Sequence, residues 1–329
     1  LLLFVVDLVP QLNTWQSRIK IGRFASAADW EVQVVATSIR WLHRTPTVAV
    51  TDQTRLILFD VLRGHYKKTA IQHWQQGALV LGLTAHYEQT ASAQSKQAVV
   101  SFLTTLFTAD GHWREQPKEL DSLLLAHAVL CIPWVAIDSY RPAFDHCYQL
   151  VLQLKGADGT VAYRSHHPDF RYVDTLGFIC PFLVRYGQVF EVPEAVSLSL
   201  LQLSSYTSNG LLPQSFIPSH TYVVSTGLPA GLYGWGRGLA WYAIGLLDTW
   251  RALPDSHPGK ADLTASVVSF ATMSLAFQNA NGSWCWQITN SSSRFDSSTT
   301  AVLAWFLSEA TVLPSLEVAA LAGSANALA

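Results

Sequence analysis

Charge is scarce in this chain: Asp, Glu, Lys and Arg make up 13% of its 329 residues, and the net charge is −2. No basic run of the kind that neutralises phosphates is present, which argues against a nucleic-acid surface. No block of like charge marks a polyelectrolyte tail either. Cysteine is rarer still. Cys131, Cys147, Cys180 and Cys285 are scattered, with neither zinc-ligand nor redox spacing, so they read as buried free thiols and point to no metal. No apolar run reaches membrane-spanning length, so no membrane association is expected. Alternating strand patterns are nearly missing; the best, 160–163 and 283–288, are short and sit beside turns. The opening LLLFVVDLVP is apolar but short, with no basic flank and no small-residue cleavage site, which makes it a poor signal peptide. The expected location is the cytoplasm; because the chain does not open on Met, secretion stays open. Asn281-Gly282-Ser283 and Asn290-Ser291-Ser292 match the glycosylation pattern, a match common by chance.

What the chain has in quantity is apolar residues, at 50%, enough for a large core. Helical periodicity dominates. Helices are expected near 30–44, 52–64, 68–90, 94–107, 120–135, 140–154, 174–187, 193–205, 235–251, 261–278, 297–309 and 314–325. Over 68–90 the apolar stripe runs through Trp74, Ala78, Leu81, Ala85 and Tyr87. Turn chemistry at 109–111, 157–159, 254–259 and 280–282 separates the helices. About twelve helices joined by short turns form six helical hairpins. Their closure into an all-α, double-layered (α/α)6 barrel is favoured over a superhelical stack, because a stack needs a repeat length and the sequence has none. One domain over 1–329 is expected, with 1–30 as a possible peripheral arm. Only 207–233, rich in Gly, Pro, Ser and Thr, breaks the short-turn rule; a loop this long inside a compact domain is usually functional.

Several residues could do chemistry. Asp174 precedes the apolar run Thr175-Leu176-Gly177-Phe178, and Asp121 precedes Ser122-Leu123-Leu124. Each fits a helix N-cap, and an Asp there is often nothing more. Two acids at helix starts on one rim of a barrel can also converge on one cavity. Arg237 and Trp241 lie one turn apart on a helix face, just after Trp235. A guanidinium binds a carboxylate with two parallel hydrogen bonds and an indole stacks on a sugar ring, but Arg237 could equally pair with an internal acid while both tryptophans fill core. His220, beside Tyr222 in the long segment, is either solvated or part of a polar site. His166-His167 is a weak metal signal, since adjacent histidines point apart and no third ligand has suitable spacing. Asp296 with Ser297-Ser298-Thr299-Thr300 reads as a helix cap with a hydroxyl cluster.

Taken in order, these segments resemble the unsaturated rhamnogalacturonyl and glucuronyl hydrolases. The motifs are Asp174-Thr175-Leu176 with Pro181-Phe182-Leu183, Leu120-Asp121-Ser122, and Trp235-Gly236-Arg237-Gly238 with Trp241. Gly282-Ser283-Trp284 followed by Asp296 to Ala301 is similar to a later family pattern. The likeness covers roughly 70–307. It implies a glycoside hydrolase that removes a 4,5-unsaturated uronic acid, galacturonyl or glucuronyl, from lyase-generated oligosaccharides by hydrating the vinyl ether. Asp174 maps onto the principal acid/base and Asp121 onto the second aspartate. Trp235, Arg237 and Trp241 map onto the sugar site, where Tyr163, Tyr172 and His220 are also expected. Tyr163 stands where the family often has a histidine. The resemblance implies neither metal nor nucleotide. The partner is the oligosaccharide, and the protein is a monomer or homodimer. A non-catalytic sugar-binding or regulatory protein, or a sugar epimerase or isomerase on the same barrel, is the alternative.

Overall fold

A computed structural model describes residues 24–43, 72–212 and 214–328, with residues 8, 12, 48–49, 62–63 and 66–67. The chain forms two compact units, Leu1–Leu106 and Phe107–Ala329. Most of the 52–64 segment, expected to be helical, lies outside the described residues, as does most of 1–30.

In the first unit, α1 (Ala27–His43), α2 (His73–Thr90) and α3 (Ala93–Leu106) pack on one another, and a two-residue pairing joins β1 (Val48–Ala49) to β2 (Tyr66–Lys67). α2 begins where the Gln75 side chain accepts from the Gln72 N–H, and stops at Ala91, whose left-handed backbone (φ 56°) ends the helical ladder. Its buried stripe is Gly77, Val80, Leu83 and Thr84, not the expected Trp74–Ala78–Leu81–Ala85 row. This helix is apolar on most sides, so periodicity alone did not fix which side faces inward. His86, between Ser95 Oγ at 2.8 Å and Glu31 at 3.4 Å, ties the three helices together.

The second unit is a series of helical hairpins. α4 (Ser122–Leu130) returns through α5 (Arg141–Gln153), α6 (Val173–Val189) through α7 (Pro193–Asn209), α8 (Gly236–Ala252) through α9 (Lys260–Ala276), and α10 (Ser297–Ala310) through α11 (Glu317–Leu328). The first helix of each hairpin packs on the first helix of the next, so α4, α6, α8 and α10 form an inner layer. Composition explains the assignment: every residue of α4 is buried, and α6 and α8 are buried along nearly their whole length, which only an inner helix sustains. α6 and α8 run in the same direction and meet closely at glycine. A Cβ on Gly177 would sit 2.6 Å from Trp241 Cε3, and one on Gly245 would sit 2.8 Å from Leu176 O.

Segment 207–233 is not a loop. Its first residues complete α7, and β4 (Leu211–Leu212), β5 (Ile217–Val223) and β6 (Leu228–Tyr233) form an antiparallel sheet with β3 (Phe170–Tyr172), in which β5 pairs with all three. Pro218 and Pro229 remove ladder donors and Gly227 (φ 65°) makes the turn. Those residues hid the strands by looking like loop chemistry. The expected strands at 160–163 and 283–288 are single bridges, Lys155 to Val161, Trp235 to Gln287 and Cys285 to Phe295.

Candidate active site

The inner helices α4, α6 and α8 begin on one side of the second unit, and the expected site residues gather there. Asp174 is the second residue of α6; Tyr172, not Asp174, holds the N-cap position. The carboxylate is therefore not consumed in capping its own helix. Its side chain is 18% exposed, and its Oδ2 is buried without a hydrogen-bond partner. His220 Nε2 lies 3.6 Å away, beyond hydrogen-bond range.

His220 reaches this position from β5 through a bulge. The β5–β6 register slips between Ser219 and Thr221, and Gly231 opposite has φ 78°. A Cβ there would come 3.2 Å from His220 Cβ. Bulges of this kind re-aim a side chain. The imidazole packs edge-on against Tyr172 at 5.3 Å and Trp235 at 4.9 Å, and the Arg237 guanidinium lies 4.8 Å from the Trp235 ring centre. Tyr172, His220, Trp235 and Arg237 thus make one continuous aromatic and cationic row beside Asp174.

Asp121 occupies the N-cap position of α4, but its side chain makes no cap hydrogen bond. Its charge and that of Asp174 act on the same group. Burial raises the pKa of the Tyr163 phenol, Arg164 lowers it, and Asp174, Asp121 and Glu119 raise it further. Tyr163 stacks on Phe178 and leans on Tyr172, while Arg164 lies over its ring and bonds Glu119. This Glu119–Arg164 clamp was missed in the sequence; adjacency of Arg164 to Tyr163 was its only trace.

Trp241 and Arg237 part company. Arg237 is exposed at the start of α8, whereas Trp241 is buried against Phe178, ring centroids 4.5 Å apart. Tyr222 is buried as well, edge-on to Tyr206, and does not join His220 in the open row. Asp296 is the cap it looked like, accepting from Thr299 N and Ser298 Oγ. Burial works against its charge, but those bonds and the nearby Arg237 hold its pKa below the ordinary value. The His166 and His167 rings do not point apart; they touch, with centroids 4.4 Å apart. Among the described residues no group of three or more His, Cys, Asp or Glu could hold a metal ion, and no helix is long and apolar enough to cross a membrane.

A carboxylate with a free oxygen, a second carboxylate, an imidazole and an aromatic row ending in a guanidinium can transfer a proton to a sugar and hold an acidic one. The model of Glycosyl Hydrolase Family 88 matches residues 51–315. No curated protein matches the chain. A glycoside hydrolase of family 105 from C. acetobutylicum ATCC 824 is similar at 18% identity and TM-score 0.68, over 78% of this chain and 75% of that one. A possible member of the same family from Salmonella enterica gives 15%, TM-score 0.73, and 93% and 81% coverage. The unsaturated glucuronyl hydrolase of Bacillus sp. GL1, responsible for the degradation of glycosaminoglycan, gives 18%, TM-score 0.63, and 90% and 83%. At these identities the structural likenesses show the fold, which is the expected all-α (α/α)6 barrel.

Proposed function

Because the chain belongs to glycosyl hydrolase family 88, we propose that Asp174 is the general acid and base with which it works. The protein is a glycoside hydrolase, and it acts on the unsaturated uronyl residues that lyases leave on their products. The observation that carries the assignment is the buried, unpartnered Oδ2 of Asp174. An acid whose oxygen is already bonded within the protein must break that bond before reaching substrate; this one need not.

In the reaction Asp174 protonates C4 of the C4=C5 vinyl ether, which leaves the positive charge on C5, shared with the ring oxygen. Water adds at C5 and gives its proton to the same carboxylate. The hemiketal then opens and releases the next sugar as an alcohol. This is hydration, so it differs from displacement at the anomeric carbon by a pair of carboxylates. His220, at 3.6 Å, closes on Asp174 when substrate excludes water, as apo catalytic contacts commonly do. Asp121 assists from α4 through their shared neighbour Tyr163. Arg237, exposed beside the Trp235 ring, takes the uronate carboxylate; Tyr172 and Trp235 offer ring surface to the sugar, and Trp241 supports the pocket wall through Phe178.

The same reading takes both units as one catalytic domain, since the family match runs across their boundary. It places the enzyme in the cytoplasm as a monomer or homodimer with oligosaccharide as its partner, using neither nucleic acid nor membrane. The test is to add the protein to an unsaturated disaccharide and follow the ultraviolet absorbance of the conjugated double bond. Its loss, with a saturated uronide left intact, is expected. Cleavage of the saturated uronide, or release of the unsaturated uronate with its double bond intact, would overturn the mechanism.

A further inference from the structure

The ends of α4, α6 and α8 opposite the candidate site hold a second group of titratable side chains that the proposed reaction does not use. His127, in the last turn of α4, is 6% exposed. Its Nε2 lies 3.5 Å from Asp248 Oδ2 on α8 and 3.6 Å from Sγ of Cys131, the C-cap residue of α4; Nδ1 is 3.9 Å from the same sulfur. One ring nitrogen thus faces both the thiol and the carboxylate. That differs from a nucleophile–base–acid relay, which uses the two nitrogens in series, and it suits an imidazolium clamped between two anions. Arg185 of α6 adds a second positive charge toward the sulfur, and its Nε is buried with no hydrogen-bond partner.

Three effects oppose a thiolate here. Burial disfavours it, and the carbonyl end of α4 repels negative charge. Asp248 adds a smaller repulsion. His127 and Arg185 outweigh them, and the net direction for Cys131 is below the ordinary thiol pKa. His127 moves the opposite way: burial would lower its pKa, but Cys131 and Asp248 raise it. The other cysteines are buried, and burial pushes Cys147 and Cys180 up to about 12. Cys131 alone among the four is not fully buried.

We propose that Cys131 is a modification site: a nucleophilic thiolate, paired with the His127 imidazolium, that exchanges with small-molecule disulfides. The thiolate attacks one sulfur of the disulfide; a new S–S bond forms to Cys131 as the old one breaks. The departing half leaves with the electron pair as a thiolate and takes its proton from water. Cys131 is oxidised and the leaving half is reduced, so the step balances with no other reagent. The adduct would stand at the carbonyl ends of the inner helices, on the side away from Asp174.

The test treats the native full chain with a small disulfide across pH, with peptide mapping of the adduct. Expected are a first adduct at Cys131 and a rate whose pH midpoint falls below the ordinary thiol value of about 8.5. Replacing His127 by Gln should raise that midpoint. Should this variant fail to fold, the ultraviolet titration of thiolate in the parent, minus that in Cys131→Ser, reads the same ionisation directly. A first adduct at another cysteine would overturn the proposal, and so would a Cys131 midpoint at or above the ordinary value.

Discussion

Asp174 Oδ2 and His220 Nε2 stand 3.6 Å apart with no hydrogen bond between them, one at the second position of an inner helix and the other beside a bulge in a four-stranded sheet. The helix supplies the acid and the sheet brings the imidazole to it. Replacing Asp174 by Asn keeps the shape and removes the transferable proton. Positioned acid/base groups contribute about 10²–10⁴-fold, so kcat should drop by at least the lower figure while the melting temperature holds. Activity within about threefold of the parent would remove Asp174 from the mechanism. Asp121→Asn should also lose kcat; an effect confined to the melting temperature would return Asp121 to a structural role.

The distinction between a cap and an acid shows what was legible in the sequence. Asp296 could be read correctly because its partners, Ser298 and Thr299, are its chain neighbours. Asp174 looked the same in sequence, yet the helix starts one residue before it and the His220 imidazole beside it comes from another element. Eleven of the twelve expected helices were legible from periodicity, with boundaries mostly within four residues; α4 stops at Leu130 and not at 135, α2 starts at His73 and not at 68, and 52–64 lies largely outside the described residues. The sheet was not, since Pro218, Gly227, Pro229 and Gly231 punctuate strands that exist only because β3 and β6 flank β5. Nor could sequence separate Arg237 from Trp241: one turn of helix puts them on a face, and it is packing against another element, including Gly177 and Phe178 of α6, that covers Trp241.

Arg237 is exposed and stacked on Trp235, so its removal should cost binding and not folding. Arg237→Ala is expected to weaken binding of an unsaturated uronide by about 1.5–3 kcal/mol, the range for hydrogen bonds to charged groups. Arg237→Lys should recover only part of it, since an ammonium lacks the planar fork. An esterified uronide should distinguish parent from variant poorly. Equal losses for charged and neutral ligands would make the arginine structural.

His220 depends on Gly231 for its aim. Gly231→Ala needs a left-handed alanine and places its Cβ 3.2 Å from His220 Cβ. The variant should lower kcat in the direction of His220→Ala, while a Leu232→Ala variant on the same exposed strand should not. Comparing the three on disaccharides with different second sugars also tells whether His220 touches the leaving sugar. If His220→Ala leaves both rate and sugar preference unchanged, the imidazole is only a packing group.

Arg171, 4% exposed, anchors β3 by pairing with Asp158 Oδ1 at 2.7 Å and donating to the Pro168 carbonyl. Burial raises the Asp158 carboxyl, but Thr160 and Arg171 outweigh it and hold it below its ordinary value. A depressed carboxylate stabilises the fold fully above its unfolded pKa, and that contribution is lost as pH falls through the folded value. Asp158→Asn leaves the guanidinium buried and unpaired, at a cost of roughly 3–5 kcal/mol at neutral pH. Denaturant titrations should show the gap to the parent narrowing below about pH 3.9. A gap independent of pH would mean that the pair's charge contributes nothing.

The approach of α6 to α8 fixes Asp174 relative to the Trp235–Arg237 end of α8, and Gly177 permits it. An added methyl would meet both the Trp241 ring at 2.6 Å and its carbonyl oxygen at 2.9 Å. The ring can turn, but the backbone oxygen can move only if α8 moves. Overpacking of this kind costs about 1–3 kcal/mol. Gly82, in α2, has nothing within 4 Å of the same added atom, so Gly82→Ala gains helix propensity of up to ~1 kcal/mol without a clash. The two substitutions should therefore move the denaturation midpoint in opposite directions. Gly177→Ala should also lower activity beyond its loss of stability, because the helix it displaces carries Arg237. Identical activity in the two variants would show that the spacing of α6 and α8 does not set the geometry around Asp174.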